Sequence, residues 1–165
     1  MILPDHLAPG LRVVFCGTAP GRISAQRGHY YANSGNGFWG ILYTVGLVPE
    51  RLEPDRDAEV LRHGIGLTDL AKHVFGQDAD LPADAFDVEG LLRKIAACQP
   101  RTLAFTSLTA ARAVLGPRVS AGMQAPDPRL QGISLWALPS PSGLARSHFS
   151  LTPWQALALH VKGEG

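Results

Sequence analysis

The chain is short of several things at once. Its 165 residues hold two cysteines, three lysines and 29 charged side chains that almost cancel, 15 Lys+Arg against 14 Asp+Glu. Cys16 and Cys98 lie inside apolar stretches, VVFC and IAAC, and no CxxC or Cys/His spacing occurs, which excludes a structural zinc, an iron–sulfur cluster and a disulfide framework. The expectation is a reduced, cytoplasmic protein. A net charge of +1 excludes a histone-like surface or a polybasic arm, so any nucleic-acid partner must be held by a few placed contacts. Twelve of the cations are Arg, which suits bidentate phosphate contacts but equally follows from high-GC codon usage. No charged leader precedes an apolar segment, and the apolar runs fall far short of a bilayer span, so no membrane partner is expected. What is present is 45% hydrophobic residue, enough for one domain over residues 1–165, read as a monomer, whose core buries roughly 70% of the surface the unfolded chain exposes.

Periodicity gives alternating elements. Leu11 to Cys16 reads as a buried strand that stops at Gly17, and two Gly and a Pro within Gly17 to Gly21 force a loop. Phe38 to Val45 suits a packed helix, and Glu50 to Glu59, charged and Pro-containing, reads as surface loop. Val60 to Leu70 is apolar, with Thr68 or Asp69 available to cap a short helix, and the acidic Gln77 to Asp87 reads as loop. Val88 to Cys98 has helical periodicity ended by Pro100. Thr102 to Thr106 and Ser134 to Leu138 read as strands, with helices from about Thr109 to Leu115 and from Pro153 to Val161. Strand–helix alternation predicts an α/β, three-layer sandwich around a short, mainly parallel sheet. Ligands of such sheets bind beyond the carboxyl ends of the strands, which directs attention to the loops there.

Three loops carry candidate chemistry. Gly17-Thr18-Ala19-Pro20-Gly21 follows a strand, as a nucleotide-cradling turn would, but matches neither GxGxxG nor GxxxxGK[ST], so the Rossmann or P-loop reading is weak. Gly28 to Trp39 alternates aromatics and amides within a glycine-rich loop, and aromatic faces stack bases while amides read base edges. The same residues also serve ordinary turn chemistry. Pro139 to Arg146 places small polar residues ahead of an apolar tip, Leu144, and a cation, Arg146, a pattern suited to gripping phosphate and entering a base stack.

In this order and spacing, VVFCGTAPGRISAQRGHYYANSGNGFWGILY, HGIGLTDL and LPSPSGLAR resemble the uracil-DNA glycosylase superfamily, most closely its mismatch-specific uracil/thymine branch. The resemblance runs the length of the chain and is weakest in the middle loops. It implies a pocket for a flipped base, with Tyr31 as the stacking aromatic and Gly17, Thr18, Ala19, Asn36 and Phe38 around it. It further implies that Ser140, Pro141, Ser142 and Gly143 grip the DNA backbone, that Leu144 fills the gap left in the duplex, and that Arg146 contacts DNA. Neither metal nor cofactor is implied, and the partner is DNA containing uracil or another deaminated base.

One position departs from that branch. Ala19 stands where the branch has an Asn that positions the attacking water, and a methyl group can neither orient nor polarise water. Two residues are placed to supply the chemistry. Asp69, in GLTDL, matches a polar pocket-wall position and as a carboxylate can take a proton from water, although it reads equally as a helix cap. Asn33 matches an Asn in a related branch acting on hypoxanthine and uracil; it can orient water or hold the leaving base, or simply make a turn. Lys72 lies near the motifs, but nothing marks it as a Schiff-base nucleophile, so a water-using mechanism is preferred. Three functions remain open at this point: a monofunctional glycosylase, a non-catalytic binder of uracil-containing or abasic DNA, and a hydrolase of free modified nucleosides.

Overall fold

A computed structural model describes residues 1–143, 147 and 149–164 of the chain. Five strands form one sheet in the order β2-β1-β3-β5-β4. They are β1 (Val13–Gly17), β2 (Ile65–Asp69), β3 (Thr102–Phe105), β4 (Gly122–Met123) and β5 (Ser134–Ala137). All pairings are parallel except that of the two-residue edge strand β4 with β5. Among the described residues, five α-helices accompany them: α1 (Arg22–Arg27), α2 (Phe38–Thr44), α3 (Val88–Cys98), α4 (Leu108–Leu115) and α5 (Thr152–Glu164).

Strands β1 (VVFCG) and β3 (TLAF) are buried along their whole length, without alternation, because both faces of the sheet are covered. Val13 and Phe15 point into a core shared with Phe38, Trp39 and Leu42 of α2 and Trp154, Leu157 and Val161 of α5. Val14 and Cys16 point the other way, into a core shared with Leu91 and Ile95 of α3 and Ala110, Ala111 and Val114 of α4. This is the expected three-layer α/β arrangement. Each fully buried Val, Leu or Phe contributes roughly 1.5–3 kcal/mol, so the two cores, and not local propensity, hold the short strands in place. Two of these helices carry side-chain caps: Asp87 accepts from the Gly90 N–H, and Ser107 from the Ala110 N–H. The outer edge of β2 is covered by the N-terminal segment, where His6 and Leu67 exchange backbone hydrogen bonds of 2.9 Å.

Two sequence expectations are corrected. Ile65–Asp69 is a fully buried strand, so Asp69 ends β2 and caps no helix. The reason is visible in the backbone: the Ala71 N–H, which a cap at Asp69 would serve, donates instead to the Thr18 carbonyl at 2.7 Å, and the Leu70 N–H before it to the Gly17 carbonyl at 2.9 Å. The charged stretch around Glu50 to Glu59 is also more than surface loop. Pro54–His63 winds into 3-10 turns kinked at Arg56, and Asp57 within it is buried.

Candidate active site

The carboxyl ends of β1, β2 and β3 lie side by side, and each ends on a residue with a role. Gly17 is the last residue of β1 and pairs in register with Asp69, the last of β2. Thr106 follows directly on β3, its N–H donating to the Cys16 carbonyl at 3.0 Å. A methyl group placed on Gly17 would meet Asp69 Oδ1 at 2.8 Å, Thr106 Oγ1 at 3.3 Å and the Tyr31 hydroxyl at 3.5 Å. Polar tips from three separate segments thus converge on the one position in β1 that has no side chain. Here glycine is required by close approach, since 2.8 Å is closer than a real Cβ tolerates.

Asp69 is only 5% exposed, and its Oδ2 is buried without a hydrogen-bond partner among the described residues. An ionised carboxylate in that position has lost its water and gained little in return. Burial pushes its pKa up to about 7; Lys72 and Lys94 pull it down, and Asp5 pushes it up. Those three groups form their own cluster. Asp5 accepts from Lys72 Nζ at 2.7 Å, from Lys94 Nζ at 2.8 Å and from the Thr68 hydroxyl at 2.6 Å. Because the two ammonium groups are spent on Asp5, they only partly offset the burial of Asp69. Lys72 also donates to the Tyr30 hydroxyl at 3.2 Å, so its amine is tied up on both sides.

Tyr31 is held in an uncommon backbone conformation, φ 53°, a region that non-glycine residues enter at a cost of order 1–3 kcal/mol. Its neighbours fix it there. The Tyr30 N–H donates to Asp57 Oδ2 at 2.9 Å, and the Ala32 N–H to Ser24 Oγ at 3.1 Å. The Tyr31 ring stacks on Phe38 with centroids 3.9 Å apart. Phe38 in turn packs edge-on against Phe15 and Trp154, so Tyr31 is the outermost ring of a rigid aromatic column. Burial, together with the nearby Asp69 charge, raises the Tyr31 phenol pKa, and it stays neutral in any ordinary buffer.

The other sequence candidates differ in where they stand relative to this centre. Thr18 spends its hydroxyl on Asp78 Oδ1 at 2.7 Å, and Ala19 presents only its methyl. Asn36 accepts from the Phe38 N–H at 2.9 Å and so starts α2 under the platform. Asn33 is exposed, and its Oδ1 accepts from the Gly35 N–H at 2.9 Å, the geometry of a turn. The third loop is wired to the second and to α5: the Gly37 N–H donates to the Pro141 carbonyl at 2.8 Å, and Trp154 Nε1 to the Pro139 carbonyl at 3.0 Å. Within it Ser140 Oγ accepts from the Ser142 N–H at 3.1 Å, and Gly143 is exposed. Leu144 and Arg146 lie outside the described residues.

Thr106 and Asp57 lie outside all three loop motifs. The first had a signal, since it is the polar residue closing a third parallel strand at the ligand edge of the sheet. The second had none, being one of several acids in a charged stretch.

Comparison with known proteins bears on this geometry. Residues 4–159 match the model of the Uracil DNA glycosylase superfamily. The fold is also similar to the solution NMR structure of a protein from Methanosarcina acetivorans that is named as a candidate uracil DNA glycosylase. The two share 23% identity, with a TM-score of 0.68 over 97% of this chain and 96% of that one.

Proposed function

We propose, from the premise that this chain belongs to the uracil DNA glycosylase superfamily, that it is a monofunctional glycosylase removing uracil from DNA as the first step of base excision repair. The observation that carries the proposal is Asp69: a buried carboxyl with a pKa of about 7, an unpartnered oxygen, and a position at the carboxyl edge of the sheet beside the aromatic platform. A general base works best when its pKa lies near the operating pH.

The flipped base stacks on Tyr31, backed by Phe38. As the N-glycosidic bond lengthens, positive charge develops on the sugar and negative charge on the departing base. The Asp69 carboxylate stabilises the first and accepts a proton from the water that adds to the sugar carbon. The products are a free base and an abasic site. Asp69 thereby takes over the task that Ala19 cannot perform. Lys72, committed to Asp5 and Tyr30, is unsuited to attack the sugar as an amine, which favours water as the nucleophile. Ser140 to Gly143 grip the backbone of the DNA, with Leu144 and Arg146 completing that contact.

The test incubates pure protein with a uracil-containing duplex and scores alkali-labile breaks. Excision by the wild type and its loss in Asp69→Asn with duplex binding retained support the reading. An unchanged single-turnover rate in Asp69→Asn moves the water-orienting role to Asn33. Ala19 favours a second reading, a binder of uracil-containing or abasic DNA, and tight binding with no breaks at any pH would establish it.

A further inference from the structure

We infer that Thr106 is a positioning residue of this site: its hydroxyl locks the Tyr31 ring in the orientation that receives the flipped base, and so sets the affinity of the pocket. The inference rests on the glycosylase reading above and adds to it a residue that none of the three loops contains.

The Tyr31 hydroxyl lies 3.1 Å from Thr106 Oγ1. Thr106 is buried, 4% exposed, and its hydroxyl also lies 3.5 Å from the Cys16 carbonyl. If Thr106 donates to that carbonyl, its oxygen accepts from the phenol, and both hydroxyl protons are used. The bond anchors the far edge of a ring whose near end sits on strained backbone and whose one face is covered by Phe38. A stacking platform needs this third point, because two constraints at the backbone and the face still leave the ring free to tilt. Thr106 is itself rigid: it is β-branched, follows directly on the fully buried strand β3, and precedes Ser107, which caps α4. The sheet therefore fixes the hydroxyl, and the hydroxyl fixes the ring. Stacking depends on a flat, ready surface, so losing the anchor weakens capture of the base more than the chemistry that follows.

The experiment compares the wild type with Thr106→Val, Thr106→Ser, Tyr31→Phe and Thr106→Val combined with Tyr31→Phe. It measures single-turnover excision against enzyme concentration, and binding of a duplex bearing 2′-fluoro-2′-deoxyuridine, which resists cleavage. Thr106→Val is expected to raise the half-saturating concentration and the Kd by about tenfold, the effect of one hydrogen bond, with the loss appearing there and not in the maximal rate. Thr106→Ser restores binding, Tyr31→Phe reproduces the Thr106→Val loss, and the double variant is no weaker than Tyr31→Phe alone. Wild-type Kd in Thr106→Val overturns the inference, as does an additive loss in the double variant. If Thr106→Val does not fold, Tyr31→Phe with wild-type Kd overturns it equally. A wild type that excises uracil while these variants match it refutes Thr106 alone, whereas a wild type that neither binds nor excises refutes the glycosylase reading.

Discussion

Asp69 and Asp57 are both buried aspartates, 5% and 4% exposed, yet the chain treats them in opposite ways. Asp57 is surrounded by donors. Its Oδ2 accepts from the Tyr30 N–H at 2.9 Å, and its Oδ1 faces His6 Nε2 and His29 Nδ1, each at 3.3 Å. Asp69 has an oxygen with no partner among the described residues, and its cations are engaged one step away with Asp5. Burial by itself therefore does not make a reactive acid. A carboxylate whose bonds are satisfied is a fastener for the Tyr30 backbone beside the platform, while one left short of partners keeps its affinity for a proton.

The sharpest way to break the comparison is to neutralise each in turn. Asp69→Asn should reduce single-turnover excision by about 10²- to 10⁴-fold, the range for a positioned general base, with duplex affinity retained. Asp57→Asn should leave excision per folded molecule largely in place, because the group it removes touches neither base nor water. If the two variants lost activity equally, Asp69 would be another fastener.

Gly17→Ala tests the same carboxylate from outside. The new methyl would lie 2.8 Å from Asp69 Oδ1, so the side chain must be displaced from its position beside β1. A fall of about 10- to 100-fold in excision is expected from a misplacement of this size. Wild-type activity in this variant would mean that the oxygen facing Gly17 takes no part in the reaction.

Stability should respond with opposite signs. Asp69 has a folded-state pKa of about 7 against an ordinary value of 3.8, so between those values the folded state keeps a proton that the unfolded chain releases. The contribution of Asp69 to stability is greatest below the lower value, falls as pH rises between the two, and above about 7 carries the full penalty, about 4 kcal/mol at most. Asp69→Asn removes that penalty, so at pH 8 the variant should resist urea better than the wild type and at pH 4 should not. Asp57→Asn should lose about 1.5–3 kcal/mol, since it weakens bonds to a charged acceptor.

Much of this contrast could be read before the fold was known, and the reasons for the rest are specific. Strands β1, β3 and β5 and helices α3, α4 and α5 announced themselves because each is a run whose apolar period matches its burial. Strand β2 was concealed because Thr-Asp after an apolar run looks like a helix cap, and only the backbone shows the following N–H groups bonded to Gly17 and Thr18. Helix α1, RISAQR, is six residues long with only Ser24 buried, so it has no apolar stripe to see. Asp69, Tyr31, Gly17 and Phe38 were legible as parts of motifs. What a motif could not supply was the difference between Asp69 and Asp57, because partners such as His6, His29 and Lys72 arrive from distant segments.

The smallest expected effect is also the one that traces those partners. Excision by the wild type should rise with pH through an inflection near 7 as Asp69 loses its proton. Lys72 lowers that pKa and Asp5 raises it, so Lys72→Met should move the inflection upward and Asp5→Asn downward. Each shift should be smaller than the one burial causes, because Lys94 remains in both variants and burial is the largest cause. The single-turnover rate measured between pH 5 and 9 reads the inflection directly. Opposite displacements would tie the rate to the charge on Asp69, since a purely structural disturbance of the Asp5–Lys72 pair would lower both curves without moving them in opposite directions. Displacement in one common direction would place the titrating group elsewhere and return Asp69 to the company of Asp57.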